Sequence, residues 1–133
     1  MKARKIPEGN AKSVDALYSL KSGKLCMVEF KNGDFTSADI IEKALSSILF
    51  FNEITNTNIE FVRKQMDFVL VYNPDVKKPN PRQKAAKGKS KLAGIKYSMF
   101  NLEHLYKFCF SNVAEVKKNE FDETDYVKNI KGR

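Results

Sequence analysis

Histidine and cysteine are scarce in this sequence, with one His and two Cys in 133 residues. A zinc site of the usual His/Cys type is thereby close to excluded, and a Ser-His-Asp triad would have to run through His104 alone. Two cysteines make no disulfide framework. Cys26 and Cys109 sit in apolar stretches, where free thiols pack as small hydrophobes. Long apolar runs are missing as well. A membrane span needs ~18 residues, and the stretch at 47–51 falls far short. The basic start at 1–5 is not followed by an apolar segment, so a secretory leader is not expected and a reducing cytoplasm is. A phosphate-binding P-loop is excluded too: Gly88-Lys89-Ser90 has the right ending, but Gln83 stands where the first glycine belongs.

Apolar residues make up 42% of the chain and charged residues 30%, the balance of a soluble globular protein. The length predicts one domain over 1–133 with a single core. Lys and Arg number 24 against 16 Asp and Glu. Acids are absent from residues 77–96, which carry Lys77, Lys78, Arg82, Lys84, Lys87, Lys89, Lys91 and Lys96. Setting those eight aside leaves 16 basic and 16 acidic residues, so the whole excess of +8 lies in one segment. A neutral body with one basic strap points to a polyanion partner. Pro79, Pro81, Gly88 and Gly94 make the strap read as a mobile loop.

The pattern along the chain is α/β. Residues 14–20 and 25–31 read as strands around a tight turn at 21–24, the second closed by Asn32-Gly33. A helix follows, capped by Thr36 with Asp39 three residues on. Ile40, Ile41, Ala44, Leu45, Ile48 and Leu49 give it a wide apolar face, and it fades near Asn56. Residues 59–64 add a helical turn. Residues 66–72 are nearly continuous in apolar side chains, as in a buried central strand, and Pro74 ends them. Helical spacing returns at Leu102, Leu105, Tyr106 and Cys109. A last strand is predicted at 113–116 and a terminal helix at 120–130.

The hairpin register determines where charge collects. A three-residue loop Lys21-Ser22-Gly23, with Gly23 in the left-handed position, sets Leu20 opposite Lys24. Asp15 then lies opposite Glu29, and Lys31 shares a face with Glu29. A two-residue loop would put Asp15 on the other face. Two close carboxylates favour a cation between them, and hard oxygen ligands with open water positions suit Mg²⁺ or Mn²⁺. Such a metal activates water and neutralises charge on a phosphodiester.

Val14-Asp15, a gap of 13 residues, Glu29-Phe30-Lys31, then a helix and an apolar strand resemble the PD-(D/E)xK nuclease superfamily over roughly residues 14–73. The resemblance implies a mixed central sheet flanked by helices, a restriction-endonuclease-like core. It implies Asp15, Glu29 and the carbonyl of Phe30 as metal ligands and Lys31 as the partner of phosphate and water. Val14 replaces the family's usual proline. The thirteen residues preceding the hairpin do not hold the family's first helix and strand, so a partner chain would supply that helix, as in a homodimer, or catalysis has been lost.

The tripeptide Glu-x-Lys is weak alone. Glu115-Val116-Lys117 also matches, but no Asp-bearing hairpin precedes it; Asp75-Val76-Lys77 follows a strand-ending proline. His104 reads as a half-buried helix residue. Phe50 and Phe51 read as core, with Phe50 towards the polar side where a subunit interface would lie. Glu42 and Lys43 read as outer-face residues. The function expected is Mg²⁺- or Mn²⁺-dependent hydrolysis of nucleic acid, DNA above all, with Lys77, Lys78, Arg82, Lys84, Lys87, Lys89 and Lys91 holding the backbone. The alternatives are a non-catalytic nucleic-acid-binding module on the same fold and a protein-interaction subunit. A solvated hairpin face with a cross-strand ion pair is the plain structural reading of Asp15, Glu29 and Lys31.

Overall fold

The computed structural model describes residues 13–76 and 98–131. The basic strap at 77–96 lies outside the described residues. Strand β1 (Ala16–Ser19) turns into β2 (Leu25–Lys31) through the three-residue loop. Gly23 has φ +91°, a conformation side chains resist, and it lets Leu20 N–H reach Lys24 O at 2.8 Å. The pairs run Ala16–Val28 to Ser19–Leu25, the register that also sets position 15 opposite position 29. β1 is shorter than the expected 14–20: Asp15 stands in a bend ahead of it, and Leu20 leaves the ladder to bridge Ile130.

Helix α1 (Ser37–Thr55) starts where the Thr36 hydroxyl accepts the Asp39 N–H, and it stops where Asn56 turns left-handed at φ 56°. Asn58 caps α2 (Ile59–Gln65) in the same way, and α2 runs straight into β3 (Met66–Tyr72). All seven β3 residues are buried, as their apolar run predicted. β3 pairs in parallel with β2 on one side and with β4 (Asn112–Lys117) on the other, so the sheet is mixed, in the order β1-β2-β3-β4. The fold is thus α/β. A helix α3 (Glu103–Phe108) precedes β4.

Alternation along the strands splits the core across two faces. Met27, Met66, Phe68, Leu70, Tyr72 and Val113 pack under α1, α2 and α3. Cys26, Val28, Val69 and Val71 pack under the C-terminal segment with Phe121, Tyr126 and Ile130. That segment corrects the expected terminal helix at 120–130. A 3-10 helix (Lys118–Glu123) and one turn of α4 (Asp125–Lys128) replace it. Thr124 breaks the two: its backbone is extended, and its hydroxyl donates to Phe121 O while accepting from Val127 N–H.

Two side-chain placements also differ from the sequence reading. α1 is rotated relative to the expected apolar stripe. Ile40, Ala44, Ser47 and Ile48 are its buried residues, whereas Leu45 is 42% exposed and Leu49 70%. Ser47 turns inward because its hydroxyl accepts the Val14 N–H at 2.8 Å. His104 is exposed, stacked on Phe108 one turn along α3, because Leu102 and Leu105 take the inward side.

Candidate metal and phosphate site

Glu29 and Lys31 project from the last three residues of β2 towards α1, beyond the end of the β1 ladder. Glu29 is completely buried. Its Oε2 receives Lys43 Nζ at 2.8 Å and lies 3.6 Å from Lys31 Nζ. Lys31 is held on its other side by Asp39 Oδ2 at 3.2 Å. Lys43 therefore does not lie on the outer face of α1. It stands one turn after Asp39 and one turn before Ser47, and the rotation that buries Ser47 brings it over the sheet. The i, i+4 spacing of Asp39, Lys43 and Ser47 puts the three on one face of α1, but that spacing does not say which face meets the sheet. Glu42 is exposed, as expected.

Asp15 is exposed and reaches the same place through the main chain: its Oδ2 accepts the Phe30 N–H at 2.7 Å. Lys31 O accepts the Asn73 N–H on the β3 side. Main-chain groups alternate sides along a strand, so Phe30 turns its N–H and its C=O to the other edge, where Asp15 sits. The Phe30 ring occupies the opposite face of the sheet, edge-on to Phe121. Asp15, Glu29, the Phe30 main chain and Lys31 are thus brought together, and α1 adds Asp39 and Lys43. The strap residues Lys77, Lys78, Arg82, Lys84, Lys87, Lys89 and Lys91 lie outside the described residues.

The electrostatics are unbalanced at one atom. Among the described residues, Glu29 Oε1 is the buried side-chain polar atom left without a hydrogen-bond partner. A buried carboxylate oxygen in that state is costly. Glu115 shows what a satisfied carboxylate looks like here. It stands in β4 in register with Leu70, which is itself in register with Glu29. Its Oε1 accepts Met99 N–H at 2.8 Å, and its Oε2 accepts Ser98 Oγ at 2.6 Å and Phe100 N–H at 3.0 Å. Glu115 anchors the return of the chain to the sheet. A third buried acid, Asp67, is tied to Lys24 Nζ at 2.7 Å, which also donates to Ser111 Oγ.

Glu29 Oε1, the Asp15 carboxylate and the Phe30 carbonyl are hard oxygen donors, the type that a small divalent cation with water in its remaining positions takes. Among the described residues no three His, Cys, Asp or Glu converge closely enough to hold a metal by themselves, so the protein's share would be two carboxylates and a main-chain oxygen. Cys26 is a poor nucleophile candidate: burial pushes its thiol up to about 12, with the Asp67 charge adding to it.

The hydrogen bond to Glu29 raises Lys43 above its ordinary 10.5; partial burial opposes this, and the Glu29 and Asp15 charges add to it. A folded-state value above the unfolded one stabilises the protein below pH 10.5, and the benefit is lost as pH climbs through the folded value. In denaturant melts taken upward from pH 10.5, wild type should progressively lose its advantage over Lys43→Gln; an advantage that persists undiminished would show that the Lys43–Glu29 contact carries none of it.

No family model, curated protein or solved structure matches the chain in comparisons with known proteins.

Proposed function

We propose that this chain is a metal-dependent nuclease on a restriction-endonuclease-like core, hydrolysing phosphodiester bonds in nucleic acid, with DNA as the favoured substrate. The observation that carries the reading is Glu29, a wholly buried carboxylate with one oxygen unpartnered, beside Asp15 and a lysine at a strand end. The order hairpin, helix, parallel apolar strand supports the same reading.

Asp15, Glu29 and the Phe30 carbonyl would hold Mg²⁺ or Mn²⁺, which supplies a water of lowered pKa and neutralises charge on the phosphodiester. The protein's own work is positioning. The β2 backbone fixes Glu29 and Phe30. The Phe30 N–H holds the Asp15 carboxylate against the strand end. Lys31, steadied by Asp39, places an ammonium where negative charge grows on the phosphate. The strap at 77–96 would hold the nucleic-acid backbone from outside this centre.

A second reading has its own observation. Lys43 already gives Glu29 a counter-ion at 2.8 Å, and a chain that kept this pair without metal would be a non-catalytic nucleic-acid-binding module. Purified protein on linear, single-stranded and branched DNA and on RNA separates the two. Cleavage that needs Mg²⁺ or Mn²⁺ and stops with chelator supports the nuclease; binding without cleavage supports the module.

The strap is tested by salt. Replacing its eight Lys and Arg with Gln should weaken nucleic-acid binding and flatten its salt dependence, since each phosphate neutralised contributes about 0.9 to the slope on duplex DNA. An unchanged affinity and slope would remove the strap from the interface.

A further inference from the structure

Lys43 holds a position that a bound cation would want. Its ammonium is 2.8 Å from Glu29 Oε2, while the other oxygen of the same carboxylate is buried and unpartnered. Lys31 already serves Glu29 from 3.6 Å and is shared with Asp39. Asp39 holds Lys31 at 3.2 Å, and the Asp15 charge acts on Lys43 as well as that of Glu29. Lys43 comes from α1, not from the strand that carries Glu29 and Lys31, so its stem can swing without disturbing β2. Its side chain is 22% exposed, against none for Glu29, so solvent lies on its open side and offers a place to go.

We infer that Lys43 is a built-in counter-ion that competes with the divalent cation for Glu29 and so sets how tightly the site takes metal. This rests on the reading of Asp15 and Glu29 as cation ligands. With Lys43 in place, an incoming cation meets a positive charge on the same carboxylate, and either the repulsion persists or the ammonium must leave. The lysine holds the Glu29 carboxylate in place at 2.8 Å in the absence of metal, so the site is preformed at the cost of affinity. Lys43 is a positioning and affinity-setting residue and takes no part in the bond-breaking step.

The test is metal binding, not cleavage. Mn²⁺ is titrated into the full chain and free Mn²⁺ is followed by electron paramagnetic resonance. Lys43→Gln and Lys43→Met, both neutral, should bind Mn²⁺ about tenfold more tightly or better, the scale of one removed repulsion at a few ångströms in a water-like medium. Lys43→Arg keeps the charge and should stay near wild type. Lys64→Gln, exposed on α2, controls for the loss of any lysine and should change little. In a Glu29→Gln background, removing Lys43 should give no gain. Equal affinity in wild type and both neutral variants overturns the inference and leaves the metal reading standing. Binding by none of the proteins overturns both. Binding by the neutral variants alone is the strongest support. If both neutral variants fail to fold by circular dichroism, Lys43 is a structural counter-ion and the inference is wrong.

Discussion

Lys31→Ala should slow metal-dependent phosphodiester cleavage by ~10²-fold or more while leaving the fold in place, the loss seen when a charge aimed at a developing oxyanion is removed. The fold should survive because Lys31 is the last residue of β2 and is partly exposed, and Glu29 keeps Lys43 as its counter-ion. Lys31→Gln should be slow as well, since a neutral amide cannot replace the charge. Asp15→Asn is the cleaner probe of the ligand set. The asparagine oxygen can still accept the Phe30 N–H that Asp15 holds at 2.7 Å, so the strand end is preserved and only the negative charge is lost. Cleavage should fall to background, and Mn²⁺ affinity should drop in parallel. Single-turnover rates on DNA and RNA, with circular dichroism to verify folding, measure this. Undiminished cleavage by Lys31→Ala and Asp15→Asn would place the activity at another site or in a contaminant.

Glu115→Ala should produce the largest stability loss of any single polar substitution considered. It strips the acceptor from Ser98 Oγ and Met99 N–H and one of the two acceptors from Phe100 N–H, which keeps Ser98 Oγ at 3.1 Å. Each buried donor left unpaired costs about 1–3 kcal/mol, and the three share one carboxylate, so their costs do not simply add. A total of about 3 kcal/mol or more is the expected scale. Met99 and Phe100 are core residues packed with Phe35 and Tyr72, so loosening their backbone loosens the helix-side core as well. The urea midpoint should fall steeply, whereas Lys117→Ala, exposed two residues along β4, should move it little. Similar small shifts in both would show that the carboxylate is not an anchor. Glu115 matches the Glu-x-Lys pattern as well as Glu29 does; its filled hydrogen-bond shell marks it as structural.

The parts that could be read from the residues are those settled by neighbours in sequence. The register of the β1–β2 hairpin depends on five residues, 20–24, and on the freedom of Gly23 to take φ +91°, so the pairing of Ala16 with Val28, and with it the shared face of positions 15, 29 and 31, was legible without tertiary information. The ends of α1 were equally local, because Thr36 and Asn56 act on backbone groups within a few residues of themselves. β3 announced its central place by having no polar side to turn to water except Asp67, whose partner Lys24 comes from the hairpin.

Tertiary structure alone decided which side of α1 turns inward. Six apolar positions span more of the helix than the sheet can cover, so composition left the rotation free. The packing of Ile40, Ala44 and Ile48 on the sheet, with Ser47 bonded to Val14 N–H, chose a phase that exposes Leu49 and swings Lys43 over Glu29. The partner of a buried charge is a long-range choice: Lys43 and Glu29 are 14 residues apart, on a helix and a strand, and nothing near either residue specifies the other. The same holds for Glu115, whose donors at 98–100 return to the sheet from a separate part of the chain. Hydrophobic spacing and turn chemistry act over a few residues and could be read in order along the chain; the pairing of charges depends on which surfaces meet after packing.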